Sequence, residues 1–151
     1  MEWHEFLTGI TPNLRFLPPV DMEALERAEA RLNITLPIDL RSLLQESNGL
    51  YETSVEVWPL KVIWSIEEIE SENLAIRSDP TRANIYMSFE SLLFFAGAGV
   101  DGIMFAYPIT ATGHVVDQRI IVWYPIEDSR PVLAFSLKDY LKRWLTSELK
   151  I

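Results

Sequence analysis

Gly97-Ala98-Gly99-Val100-Asp101-Gly102 carries the spacing G-x-G-x-x-G, a pattern that can cradle a pyrophosphate. In a dinucleotide-binding unit the glycines let the backbone approach the phosphates, and a helix opening directly afterwards turns its N-terminus toward their charge. Here Ile103-Met104-Phe105-Ala106-Tyr107 follows as an apolar, β-like run ending at Pro108. The expectation is therefore a tight hairpin, with glycines supplying positive φ and Asp101 stabilising the turn through its own backbone. A nucleotide or small ligand held at the Gly97–Gly102 turn stays open as an alternative.

The remaining reactive residue types are sparse. There is no cysteine, and His4 and His114 are the only histidines. Neither has a second ligand beside it at metal spacing, so no zinc site is expected, and both read as surface residues. No G-x-S-x-G elbow, P-loop or H-E-x-x-H is present, and Ser88 and Ser91 lack an identifiable base. Glu67 with Glu68 and Glu127 with Asp128 are paired carboxylates, but acid pairs on helix faces and turns are commonplace. We expect no catalytic residues, no metal and no cofactor.

Charge is the more informative property. The chain carries 22 acids against 13 bases, net −9, and the first 76 residues hold 14 of those acids and 5 of those bases. The excess argues against nucleic acid or an anionic membrane as a partner and favours a basic protein. Its densest stretch is Glu67, Glu68, Glu70 and Glu72, behind the capping-box pattern Ser65-Ile66-Glu67-Glu68. By default these four make a solvated helix face; functionally they would form a docking surface, with Trp58 as an aromatic anchor. No apolar run reaches the ~20 residues needed to span a bilayer, and Met1-Glu2-Trp3-His4-Glu5 lacks a signal-peptide layout, so a cytoplasmic location is expected.

The elements that must position these residues follow from apolar spacing. Trp3, Phe6, Leu7 and Ile10 suit a short helix, after which Pro12, Pro18 and Pro19 imply an irregular strap. Asp21 caps a helix from Met22 to Leu32, whose apolar stripe is Met22, Leu25, Ala28 and Leu32. Pro37 opens another helix, buried through Leu40, Leu43 and Leu44 and stopped at Asn48-Gly49. Val55, Val57, Leu60, Val62 and Ile63 predict short extended pieces around Pro59.

From Ile85 onward the pattern predicts strands: residues 92–96, 103–107, 120–124 and 132–135, with short connections that favour antiparallel pairing. Trp64, Trp123 and Trp144 are assigned to the core by their apolar neighbours. Ser136 opens a final amphipathic helix through Leu137, Tyr140, Leu141, Trp144 and Leu145. The expected fold is α+β in one domain spanning residues 1–151, with N-terminal helices and the C-terminal helix packed on a mostly antiparallel sheet.

Several of these pieces stand in a recognisable order. Leu25-Glu26-Arg27-Ala28-Glu29-Ala30-Arg31-Leu32 leads to Ile34-Thr35-Leu36-Pro37, then Leu40-Arg41-Ser42-Leu43-Leu44 and Asn48-Gly49. Phe94-Phe95-Ala96-Gly97-Ala98-Gly99, Asp101-Gly102, Phe105, Ile121-Val122-Trp123, Ala134-Phe135-Ser136-Leu137 and Tyr140-Leu141 complete the set. This ordered layout, over about residues 21–147, resembles the SUKH superfamily, which includes the Smi and Knr cell-wall regulators and many bacterial immunity proteins. The resemblance implies a non-catalytic α+β domain that acts by protein binding. Its leading form is an immunity protein that neutralises a cognate polymorphic toxin of nuclease or deaminase type. A regulatory interaction module with a housekeeping partner is the alternative within the group.

Overall fold

A computed structural model describes residues 1–55, 57 and 59–149. The chain runs α1 (Glu2–Thr8), β1 (Leu14–Phe16), α2 (Met22–Leu32), α3 (Ile38–Glu46), β2 (Leu50–Glu52), β3 (Leu60–Ile63) and α4 (Ile66–Ser78). It continues through α5 (Pro80–Ile85), β4 (Leu92–Gly97), β5 (Met104–Pro108), β6 (Ile120–Trp123), β7 (Val132–Ala134) and α6 (Leu137–Leu145). The strands form two sheets, ordered β1-β2-β3 and β4-β5-β6-β7, with every pairing antiparallel. The Trp64 N–H donates to the Phe95 carbonyl at 2.9 Å and ties the end of β3 to β4. The expected α+β class holds.

Local chemistry sets the helix ends. Asp21 accepts from the Ala24 N–H at 2.8 Å at the start of α2, and Asn33 closes that helix in the left-handed conformation. Ser136 accepts from the Asp139 N–H at 3.0 Å to start α6. Gly49, at φ +104°, lets the chain turn into β2 close against the Ile63 carbonyl, three residues beyond the last residue of α3.

The second sheet is buried on both faces. Leu93, Phe95, Phe105, Tyr107 and Val122 face the main core with α1, α2, α3 and α6, while Phe94, Ala106, Ile121 and Trp123 pack with Ile76 and Phe89 on the other side. Burial on both sides explains why these strands read as unbroken apolar runs instead of alternating ones. A bulge between Phe94 and Ala96 puts Phe95 and Ala96 together in the main core.

Several expectations are revised. The strap contains β1, which pairs with β2 through Leu14 and Glu52, but three residues are too few to show a period. Helix α5 also escaped sequence reading, because none of its residues is buried and so it has no apolar stripe; Ile85 ends it and does not begin a strand. Val55 and Val57 lie in the bend and turn before β3. Met22 is exposed and its sulfur accepts from Arg41 Nη2 at 3.1 Å. Trp123 is fully buried, but in the second cluster, and Trp64 and Trp144 are only partly buried.

The N-terminal segment is tied to the body of the protein. Trp3 is buried and its indole N–H donates to Ser42 Oγ at 2.7 Å. The Glu46 carboxylate accepts from the Trp3 and His4 N–H groups, both at 3.1 Å, and so caps α1 from α3. Ser47, also buried, receives the Leu17 N–H at 2.8 Å and holds the strap.

Candidate functional site

The four glutamates of the acidic stretch all lie on α4, whose first turn is capped twice. Ser65 Oγ accepts from the Glu68 N–H at 3.2 Å and Glu68 accepts from the Ser65 N–H at 3.1 Å, the predicted capping box. The Ile66 N–H donates to Asn48 Oδ1 at 2.8 Å, so Asn48, expected to stop α3, instead helps start α4, while α3 ends at an extended Ser47. Sequence reading had no signal for that role, since the two residues are 18 positions apart.

The glutamates do not share one free face. Glu68 pairs with Lys61 of β3 on one flank. Glu67 accepts both Asn48 amide hydrogen bonds, at 3.0 and 3.1 Å, and Glu70 pairs with Arg31 of α2 at 3.0 Å on the opposite flank. The Glu70 side chain keeps 16% of its accessible surface and that of Glu68 34%. Glu72 is exposed and makes no hydrogen bond or ion pair among the described residues; it borders a hollow beside Trp64 and Arg82. Trp58, the expected anchor, lies outside the described residues.

Electrostatics follow this division. Burial pushes the Glu68 carboxyl up, but hydrogen bonds from Lys61 and Ser65 outweigh it and leave its pKa below the usual carboxylate value. The hydrogen bond to Glu68 in turn holds the Lys61 ammonium above its ordinary value. Glu68 is thus committed to the helix start, while Glu72 makes no direct ion pair among the described residues.

His4 and His114 are both exposed, and among the described residues no group of three His, Asp or Glu side chains is placed to hold a metal ion. The Gly97–Gly102 segment is the hairpin turn of β4 and β5, with Gly99, Asp101 and Gly102 at positive φ and the Ala98 N–H bonded to the Ile103 carbonyl at 2.9 Å. A strand, not a helix, follows it. No described helix is long and apolar enough to cross a membrane.

Compared with known families, residues 19–143 match the SMI1 / KNR4 family (SUKH-1). The chain belongs to this family. The SUKH-1 match runs from the strap through most of α6 and leaves out α1 and β1. SUKH-1 is a family of immunity proteins, generally without catalytic activity. Comparison with the curated proteins gives no match. Within the SUKH-1 region the recognisable residues are scaffold: Leu36, Leu40, Leu43 and Leu44 are core, Asn48 caps α4, and the glycine turn joins two strands.

Proposed function

We propose that this SUKH-1 chain is a non-catalytic immunity protein that neutralises a cognate toxin domain, of nuclease or deaminase type, by binding it directly in the cytoplasm. The observation that carries this reading is the family match over residues 19–143. The net charge of −9 supports a basic partner, because complementary charge speeds encounter and sets orientation. The chain is read as one domain, a reading supported by the packing of Trp3 and Leu7 of α1 into the same core as Leu40, Leu43 and Leu44 of α3.

Of the proposed contact residues Trp58, Glu67, Glu68, Glu70 and Glu72, the exposed Glu67 and Glu72 carry the docking role. Glu68 and Glu70 contribute to the field while serving intramolecular ion pairs. Carboxylates would fill the electropositive groove that otherwise takes the phosphates of the toxin's substrate.

The test is to express the chain with the toxin C-terminal domain encoded beside its gene. The expected result is restored growth and a complex whose affinity falls as salt rises. Growth arrest despite expression of the folded chain, with no complex at low salt, would overturn the immunity reading.

A further inference from the structure

The second face of the β4–β7 sheet is buried at Phe94, Ala106, Ile121 and Trp123 but partly exposed at Met104. Between α5, the Gly97–Gly102 turn and the β6 end lies a hollow of about 610 Å³ over Trp123 and Met104. It continues past Asp79, Arg82 and Met104 into a smaller one of about 170 Å³ beside Trp64 and Glu72. Apolar side chains border this groove with little cover: Ile85 is 66% exposed and Val100 56%. Met87 and Ile126, 62% and 91% exposed, are the chain neighbours of the lining residues Tyr86 and Pro125.

The groove is built on a fixed wall. The Trp123 indole N–H donates to Asp128 at 2.8 Å, and the Tyr86 ring meets Trp123 edge-on at 5.1 Å. Arg130 donates to the Ser88 and Met87 carbonyls at 3.0 and 2.9 Å while pairing with Asp128 at 3.1 Å. The segment after α5 is therefore pinned to the sheet, and an occupant meets a preformed surface.

Charge decides what fits. Glu72 borders one end and Asp101 the other, both exposed and both without an ion-pair partner among the described residues. Arg82, between them, is paired with Asp79 at 3.4 Å. A phosphate-bearing ligand would meet carboxylates at both ends and, among the described lining residues, no cation other than the paired Arg82.

We infer that this groove takes an extended segment of a protein partner in which an apolar or aromatic side chain is flanked by basic residues. The apolar side chain packs against Ile85, Val100 and Met104, above the buried Trp123, and the basic residues reach Glu72 and Asp101. The inference rests on the immunity reading for the identity of that partner as the toxin. It goes further in giving the segment and the surface that receives it.

The experiment titrates the full chain, with Ile, Val and Met methyl groups labelled for NMR, with a Lys-Lys-Phe-Lys-Lys peptide. Controls replace its lysines by glutamate or its phenylalanine by serine. Saturable shifts at Ile85, Val100 and Met104 are expected, with each control about tenfold weaker. E72Q/D101N should weaken the lysine peptide by a similar factor without disturbing the fold, because Asn tolerates the left-handed backbone at position 101. Equal binding of the controls, or shifts centred elsewhere, overturns the inference. Concentration-dependent shifts at the same methyls without peptide assign the groove to a second copy of the chain and also overturn it. A toxin still neutralised at full affinity by I85S/V100D overturns the groove while the immunity reading stands; peptide binding without neutralisation does the reverse.

Discussion

The side-chain amide of Asn73 pairs with both backbone groups of Phe94: Nδ2 donates to the Phe94 carbonyl at 2.8 Å and Oδ1 accepts its N–H at 2.9 Å. Asn73 is fully buried and Nδ2 also donates to the Ile69 carbonyl at 2.7 Å. A residue of α4 thus continues the ladder along the outer edge of β4, next to the Trp64–Phe95 bond. The edge is closed without another strand.

Replacing Asn73 by Ala leaves the Phe94 N–H and carbonyl buried without partners. Each such group costs about 1–3 kcal/mol, so N73A should be destabilised by several kcal/mol in urea titration. A cost within error of zero would mean that water replaces the amide.

Asp128 gives a pH dependence with a defined sign. Burial pushes its carboxyl up, but hydrogen bonds from the Met87 N–H and Trp123 and the nearby Arg130 charge outweigh this and hold its pKa below the ordinary 3.8. A depressed folded pKa stabilises fully above that value and loses its contribution as pH falls toward the folded pKa. The melting-temperature gap between wild type and D128N should therefore be wide at about pH 6 and narrow at about pH 3. A gap that widened on acidification would contradict this.

Trp3 lies outside the matched SUKH-1 region yet fills the main core. W3A should cost about 3–5 kcal/mol by equilibrium unfolding, the range for large aromatic truncations. W3F, which keeps much of the volume but loses the bond to Ser42, should cost less. If removing residues 1–12 left stability unchanged, the segment would be an accessory.

Two neighbouring glutamates should behave differently. E68A removes the capping-box partner and should destabilise by about 1 kcal/mol. E72A breaks no described contact and should leave the melting temperature unchanged while slowing association with the basic toxin domain. Stopped-flow association and thermal melts on both variants separate the roles, and the reverse pattern would reassign them.

Much of the helical layer was legible from sequence because its signals are local. Asp21, Ser65 and Ser136 cap where they stand, and Leu25, Ala28 and Leu32 or Leu137, Tyr140 and Leu141 mark a buried face within a few turns. The β4–β7 runs were legible too, though their burial on both sides was not, because periodicity cannot say what covers the second face. Elements without an apolar period, β1 and α5, carried no readable pattern.

The acidic stretch marks the boundary between the two kinds of information. The sequence by itself determined that four carboxylates share one helix with a capping box at its start, since both properties depend only on spacing along the chain. Tertiary structure alone decided that Arg31 and Lys61 draw Glu70 and Glu68 to opposite flanks, and that Glu72 borders the groove over Trp123. Those pairings join residues from separate elements, and only packing of the chain brings such charges within a few ångströms, where their interaction is strong enough to fix a side chain.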